Sequence, residues 1–452
     1  MSLSSLFNTA RSALMLYQRG MSVTAQNVAN AQTPGYSRRR LEVISSHIGG
    51  SGLGTGVTDA GIIRVRDTFL DAAYRRDNGL LGGSETLSSL LGNVEAALQE
   101  PSDSGISGAL NGLFSAFGDL ATEPTSSPNR ELVRTAAGRF VGQLHQLDAE
   151  LTQSVQDATD RLTAGVADVN DLADRIASLN REIMTAAAAR QDITGLEDER
   201  DVLLDRLSGY ASVTVSSNED GTVSVRAGEA TVVEGATARH LAVVTAAEGG
   251  SSVASASGGP SIDLQAGSLK SLSHLTTVIL PEYRKQLDSF AEAVVTEVNA
   301  IHRTGYTLNK RTNVDFFDPA GVSARTISLA TDISDSGDAI AAGGSIGSGD
   351  NAVALRLAAL AHEGVPSLNG KTLRGFYDEF AVSVGSGVSE SSISREMHQA
   401  MADNADNARM SVSGVSVDEE MVTLISQQEA YGAAARILKV ADEMIQYLLQ
   451  MV

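Results

Sequence analysis

The chain has 452 residues, enough for about two to four domains with a sizeable core, and carries 55 Asp and Glu against 34 Lys and Arg, a formal net charge of −21. That balance argues against a nucleic-acid-binding face, and the absence of cysteine excludes a disulfide framework, a thiolate nucleophile and a cysteine-ligated metal. No apolar run approaches the roughly 18 residues needed to span a membrane, and no secretory-type signal opens the sequence, so composition alone points to a cytosolic protein.

In chain order, the first element is an amphipathic helix. Steps of four and three residues give Leu3, Phe7, Ala10, Leu14, Tyr17, Met21, Thr24, Val28 and Ala31, an apolar seam that only Thr24 interrupts. It ends at Thr33-Pro34-Gly35-Tyr36, where Pro34 cannot extend the hydrogen-bond ladder and Gly35 supplies the positive φ of a tight turn. Arg38, Arg39 and Arg40 follow. They read either as a solvated charge run or as a contact with an acidic neighbouring subunit.

A glycine-rich stretch from Gly49 to Gly61 predicts a flexible loop or a long hairpin. Helical patterns then cover Asp67 to Ala73 and Glu85 to Leu98, stopping at Pro101. The longest helix is expected from Asn129 to about Ala189, with apolar positions from Phe140 to Ile183 recurring near 3.6 residues, so its stripe runs straight. A shorter helix is expected from Leu196 to Leu207.

From Ala211 the period becomes two. Ser212–Ser216 and Thr222–Arg226 flank Asn218-Glu219-Asp220-Gly221, a strong hairpin signal, and strand-like segments continue from Ala230 to Val244. Helix resumes from Gly267 to His302, residues 305–350 are glycine-rich and irregular, and helices return at Asn351–His362, Leu373–Val384 and from about Glu390 onward with a break at Ser413-Gly414. The last helix repeats the seam of the first: Leu424, Gln427, Tyr431, Ala434, Leu438, Ala441, Ile445, Leu448 and Val452.

The expected fold is therefore mainly α with a β-rich insert. Paired, coiled-coil-like terminal helices (1–36 and 413–452) flank a discontinuous helical domain (37–210, 266–304 and 351–412), and residues 211–265 with 305–350 form one outward-facing β module. Asn27 and Asn30 are poor helix formers beside the seam. Their amides are read as hydrogen-bonding to neighbouring molecules, or as local caps before the proline turn.

Candidate chemistry does not assemble. Gly343–Gly347 has the spacing of a nucleophile elbow, but Ser334–Ala342 before it is no apolar strand. The seven histidines are scattered without metal-ligand spacing, and Asn218–Gly221 lacks the alternating acids of a calcium loop. Glu197-Asp198-Glu199 reads as a solvated helix face with short-range ion pairs to Arg200 and Arg206. No catalytic, metal or cofactor site is expected, and low aromatic content disfavours a deep ligand pocket.

Thr24-Ala-Gln-Asn-Val-Ala-Asn-Ala-Gln-Thr-Pro-Gly-Tyr-Ser-Arg38 resembles the signature of rod, hook and hook–filament junction proteins, the axial family of the bacterial flagellum. Ser413–Leu424, Gln427–Tyr431 and Ala441–Met444 are similar to that family's other end. Gly54-Thr-Gly-Val57, Ile63-Arg-Val-Arg-Asp67, Gly195-Leu-Glu-Asp-Glu-Arg-Asp-Val-Leu-Leu-Asp-Arg-Leu207, Pro281–Leu287 and Val298–Gly305 resemble the hook-associated junction branch. The likeness covers nearly the whole chain and is weakest in 211–265 and 305–350. The β-rich middle is smaller than in longer family members.

The resemblance implies a structural adaptor that polymerises between hook and filament. Its implied partners are copies of itself, the flagellar hook protein, a second junction protein and an export chaperone at the C-terminal region. It also implies export through the flagellum's type III channel without a cleaved signal, which reverses the cytosolic reading. Subunit contacts are expected at Leu3, Phe7, Leu14, Tyr17, Met21, Asn27, Val28, Asn30, Pro34 and Tyr36, and at Leu424, Tyr431, Leu438, Ile445 and Leu448. A hook or distal rod subunit is the alternative, disfavoured by the long helix and the Asp-Glu-Arg-Asp run. A flagellum-associated secreted hydrolase would need a catalytic constellation.

Overall fold

The computed structural model describes residues 3–47, 54–102, 104–246, 249–346 and 349–450. Helix α1 (Leu3–Ala29) leads through the proline turn into an antiparallel hairpin of β1 (Arg39–His47) and β2 (Gly54–Arg64), in register from Arg39 opposite Arg64 to His47 opposite Gly54. Of the two readings of the glycine-rich stretch, the long hairpin holds. Its tip lies outside the described residues.

Helix α2 (Thr68–Leu98) is continuous where two segments were expected. Its glycines do not break it because they admit neighbouring backbone. A Cβ at Gly82 would strike the carbonyl of Gly209, and one at Gly83 would crowd that of Gly267. Asp67 caps the helix by accepting from the Phe69 and Leu70 amides at 2.8 and 3.3 Å.

Helix α3 (Ile106–Thr122) is an element that the sequence reading missed. Helix α4 (Ser127–Ala188) has 62 residues, capped by Ser126, and is ~93 Å long at 1.5 Å per residue. Helix α5 (Thr194–Tyr210) leads into a four-stranded antiparallel meander, β3 (Val213–Ser217), β4 (Val223–Ala227), β5 (Ala230–Glu234) and β6 (Thr237–Ala238). A separate hairpin follows, β7 (Leu241–Thr245) with β8 (Ser251–Ser255).

Helix α6 (Ser268–His274) joins α7 (Leu280–His302) through a π-helical turn, Leu275–Ile279. Pro281 lacks an N–H, and the widened turn brings the Leu280 amide onto the Leu275 carbonyl just before it. Short helices α8 (Thr331–Asp335) and α9 (Ala352–Ala359) precede α10 (Leu373–Ser413), a single helix where a break near residue 390 was expected, and α11 (Val417–Gln450). Helix α10 lies antiparallel along α2: His398 bonds Ser84 at 3.2 Å, and the Arg409 guanidinium sits 4.0 Å over the Tyr74 ring.

The core runs along α4. Phe117, Phe140, Phe290, Phe316, Phe317 and Tyr377 are fully buried and knit α3, α4, α7 and α10 together through tilted and edge-on ring contacts. The strands β3–β8 and residues 305–350, expected as one module, pack toward opposite ends of α4. Asn180 donates to the carbonyls of Val223 and Gly235 at 2.8 and 2.7 Å, and Asn170 donates to Leu241 at 2.9 Å. Residues 305–350 instead meet the other half of the helix, where Arg130 donates to Ile340 and His145 bonds the Ile327 carbonyl at 2.8 Å. His145 and Asn170 are ~38 Å apart along the axis. The two segments are separate elaborations: residues 305–350 also pack on α3 and α7, where Phe316 meets Phe117 and Asn299 holds the Phe316 and Phe317 backbone.

Candidate assembly surface

Helices α1 and α11 pair antiparallel. Gly20 faces Gln427, whose side chain a Cβ at position 20 would meet at 3.0 Å, and Asn27 faces Glu420. Apart from Val23, the buried residues are small or polar rather than broadly apolar: Ala10, Gly20, Thr24 and Asn27 on α1, Glu420, Ala434 and Ala441 on α11. Small residues let the two backbones approach closely. The bulky members of the predicted seams sit at the edge of this contact: Phe7, Leu14, Tyr17, Met21, Val28, Leu424 and Leu438 are half-buried, and Tyr431 and Ile445 are each 37% exposed. The side chains of Leu3 and Leu448 lie outside the described residues.

The β1–β2 hairpin runs along a second side of α1. Arg19 pairs with Asp59, and a Cβ at Gly56 would touch the Ser12 hydroxyl at 2.8 Å. Sequence periodicity gives a helix one covered face, whereas α1 has two, and this is why its buried line departs from the simple seam.

Asn27 is not available to neighbouring molecules. Its Nδ2 donates to the Arg39 carbonyl at 2.9 Å and to Glu420 Oε2 at 3.0 Å, while its Oδ1 accepts from the Arg39 amide at 3.0 Å and the Tyr36 hydroxyl at 2.9 Å. Every hydrogen-bonding capacity of the amide is used within the chain. Asn30 is also local, donating to the Gln26 carbonyl at 3.0 Å and accepting from Thr33 at 3.2 Å. Pro34 stays exposed in the turn. Asn30 therefore bonds locally, as one reading had it, whereas Asn27 fits neither reading, because it reaches across to the last helix of the same chain.

The arginine run is likewise absorbed. Arg38 pairs with Glu420 at 2.8 Å and Glu419 at 2.9 Å, and Arg39 pairs with Asp198 at 3.3 Å while stacking 4.9 Å over Tyr36. Arg40 stays exposed. Of Glu197-Asp198-Glu199 only Glu199 lies on the expected solvated face; Asp198 is buried, Glu197 is half-buried, and Arg200 bonds Asn180 and the Gly221 carbonyl instead. Positions 197, 198, 201 and 205 present carboxylates to arginines from other elements. Arg64 contacts Glu197, Asp198 and Asp201 at 2.9, 3.1 and 2.6 Å. Arg66 and Arg75 contact Asp201 at 3.1 and 3.0 Å, and Arg75 and Arg409 contact Asp205 at 2.7 and 2.5 Å. Burial pushes the Asp201 carboxyl up, but Arg66, Arg64 and Arg75 together hold it below the usual carboxylate range. The Ser37 hydroxyl completes the clamp, donating to Asp198 at 2.7 Å. This network ties the turn and hairpin beneath the terminal pair to α2, α5 and α10 of the body.

Elsewhere, Ser345 of the elbow-like sequence donates to Asp350 at 2.7 Å in an exposed loop, with no histidine beside it. His302 is buried, bonded to the Val314 carbonyl at 2.7 Å and accepting the Ala341 amide at 2.8 Å, and burial lowers its pKa to about 4. Among the described residues no group of three or more His, Cys, Asp or Glu is placed to hold a metal, and no helix is long and apolar enough to cross a membrane.

Comparison with known proteins adds three family matches. The helical domain of flagellar hook-associated protein FlgK matches residues 91–317, the C-terminal region of flagellar basal body rod FlgEFG proteins matches 407–451, and the flagella basal body rod protein family matches 7–36. The chain is 29% identical over 487 residues to flagellar hook-associated protein 1 of Bacillus subtilis (strain 168), covering 97% of this chain and 96% of that protein. Identity is also 29% over 329 residues to the protein of the same name from Salmonella typhimurium, covering 70% of this chain and 59% of the relative. The fold resembles the solved flagellar hook junction protein FlgK from Burkholderia pseudomallei, with a TM-score of 0.67 and 16% identity over 77% of this chain and all of that one.

Proposed function

The chain belongs to the flagellar hook-associated FlgK family, whose helical-domain match spans half of it, and from that membership we propose how it works as a structural protein of the hook–filament junction. It polymerises as an adaptor in the flagellum. The α1/α11 pair, with residues 1–36 and 413–452, forms the axial wall, and the helical body surrounds it. The half-open edge of the pair, bearing Phe7, Leu14, Met21, Tyr431 and Ile445, meets neighbouring subunits. The flagellar hook protein lies on one side of the assembly and a second junction protein on the other. Export proceeds without a cleaved signal, with a chaperone engaging the C-terminal region, and the role is mechanical rather than catalytic.

One observation carries this reading. The first and last helices close into a single rod, and a buried arginine–carboxylate clamp fixes that rod to the body. A subunit whose axial element is held at a set angle can transmit torque and bending from one polymer to the next. Electron microscopy of cells lacking this chain tests the reading. Hooks without filaments, with flagellin in the medium, are expected, and normal filaments would overturn it.

A further inference from the structure

The helical body contains an apolar cleft that the junction role does not use. It opens between α2, α10 and the π-helical turn that joins α6 to α7, and its volume is about 430 Å³. That size falls among small-molecule sites, which run from about 300 to 1,000 Å³. Val278 and Ile279 line it from the π turn, and Leu87 and Leu91, one helical turn apart, line it from α2. Val278 stays 50% exposed, whereas Leu275 and Leu280 on either side of it in the chain are buried. Gly387 of α10 keeps the cleft open: a Cβ there would lie 3.2 Å from the Tyr283 hydroxyl and 3.7 Å from Leu91. No lining residue comes from α1 or α11, so the cleft is complete within one chain and independent of the terminal rod.

Two polar features in this apolar setting have no counterpart. Tyr283 of α7 lines the cleft and is only 9% exposed, yet its hydroxyl has no hydrogen-bond partner among the described residues. A tyrosine hydroxyl so deeply placed ordinarily finds one. Glu282 of α7 and Glu390 of α10 also line the cleft, and both are exposed. Glu282 accepts from Gln286 at 3.2 Å, Glu390 has no partner among the described residues, and neither is in an ion pair. His274 is the only basic side chain in the lining, and Lys285, three residues from Glu282, lies outside it. Single unpaired carboxylates are ordinary in a chain of net charge −21. Two of them, brought by different helices to one apolar cleft above an unpartnered hydroxyl, set the charge of what fits there.

We infer that this cleft binds a small organic cation of the arylalkylammonium class. Its ring lies against Leu87, Leu91, Val278 and Ile279, and its ammonium is held at the rim by Glu282 and Glu390. A polar atom on the ring reaches the Tyr283 hydroxyl. Carboxylates and phosphates are repelled by the rim, and apolar walls offer nothing to a bare metal ion or a polyol.

Methyl NMR titrations of the purified full-length chain test this, at about pH 8, above the ordinary titration range of histidine. Phenethylammonium should bind about fivefold more tightly than neutral phenylethanol, the size expected of exposed carboxylates, and anionic phenylpropanoate should bind more weakly than both. The shifted methyls should be those of Leu87, Leu91 and Val278. The preference for the cation should vanish in about 1 M salt and in the double variant Glu282→Gln/Glu390→Gln, whose folding does not depend on those exposed, unpaired groups. Tyramine, which adds a ring hydroxyl, should gain about threefold over phenethylammonium, and Tyr283→Phe should remove that gain. Equal binding of cation, neutral and anion, a preference that survives the double substitution, or shifts scattered away from the cleft overturns the inference. So does a carbodiimide link from Glu282 or Glu390 to another protein in intact flagella when the isolated chain binds no amine, because the cleft then belongs to a neighbouring subunit. The junction role stands or falls separately, on filament growth.

Discussion

Asn27 donates to Glu420 across 3.0 Å, joining residues 393 positions apart and closing the chain's two ends into one rod. The same Glu420 receives Arg38 at 2.8 Å, so a single carboxylate connects the first helix, the turn after it and the last helix. Both Asn27 and Glu420 are buried, at 1% and 3% exposure, and neither has a spare partner. The terminal pair therefore depends on a polar key set among small residues.

Asn27→Ala should loosen the pair selectively. It strands the Arg39 amide, the Tyr36 hydroxyl and one Glu420 oxygen, each costing about 1–3 kcal/mol when buried without a partner. Trypsin should then cut at Arg11 and Arg19 much faster than in the parent, while the body resists. Unchanged cleavage would show that the hydrogen bonds contribute little.

Asp201→Asn should weaken the clamp by about 3–5 kcal/mol, because it leaves Arg64, Arg66 and Arg75 sharing a buried site without its central charge. The parent should show the same dependence in acid. The folded carboxyl titrates below its ordinary value of 3.8, so its contribution is complete above that pH and is lost as pH falls through the folded value. Hydrogen exchange of the β1–β2 hairpin measured against pH checks both statements. An acid profile identical in parent and variant would contradict them.

His302 makes the body sensitive to milder acid. Its ordinary pKa of 6.5 falls to about 4 when folded, so the unfolded chain binds the proton first and stability declines as pH drops from 6.5 toward 4. The full loss is about 3 kcal/mol at 1.36 kcal/mol per unit. The cause is specific, since the protonated ring could not accept the Ala341 amide. His302→Gln, which keeps one donor and one acceptor, should flatten the slope of urea-unfolding stability over this window, and an unaltered slope would assign it elsewhere.

Gly35→Ala should destabilise the seating of the proline turn. Its φ is +80°, and an added Cβ would run into Val202 of α5. A loss of about 1–3 kcal/mol is expected from the strained backbone and the displaced contact, read as a lowered Tm. Gly61→Ala has a φ of +127° but meets nothing within 4 Å, so it isolates backbone strain from the clash.

Residue pattern alone was enough for the long-period elements. A stripe sustained near 3.6 residues from Phe140 to Ile183 admits little but one long helix, and matched seams at both ends required partners. The Asp220-Gly221 turn fixed its hairpin equally well, because turn chemistry is local. Helix α3 was illegible because Gly108, Gly112 and Gly118 punctuate it, and tertiary burial of Leu113, Phe117 and Leu120 overrides their poor propensity. The glycines of α2 misled for the opposite reason, since they mark where other backbones approach.

Which faces are already occupied emerges only from the packed molecule. Periodicity finds an apolar stripe but cannot tell a partner within the chain from one outside it, so it could not show that Asn27 is spent on Arg39, Tyr36 and Glu420. Nor could it show that Glu197, Asp198, Asp201 and Asp205, at helical spacing, meet arginines more than 100 positions away. Charges so distant in sequence leave no local signal. Their pairing exists once the hairpin, α2, α5 and α10 converge, and that convergence is set by the long-range packing of the helices.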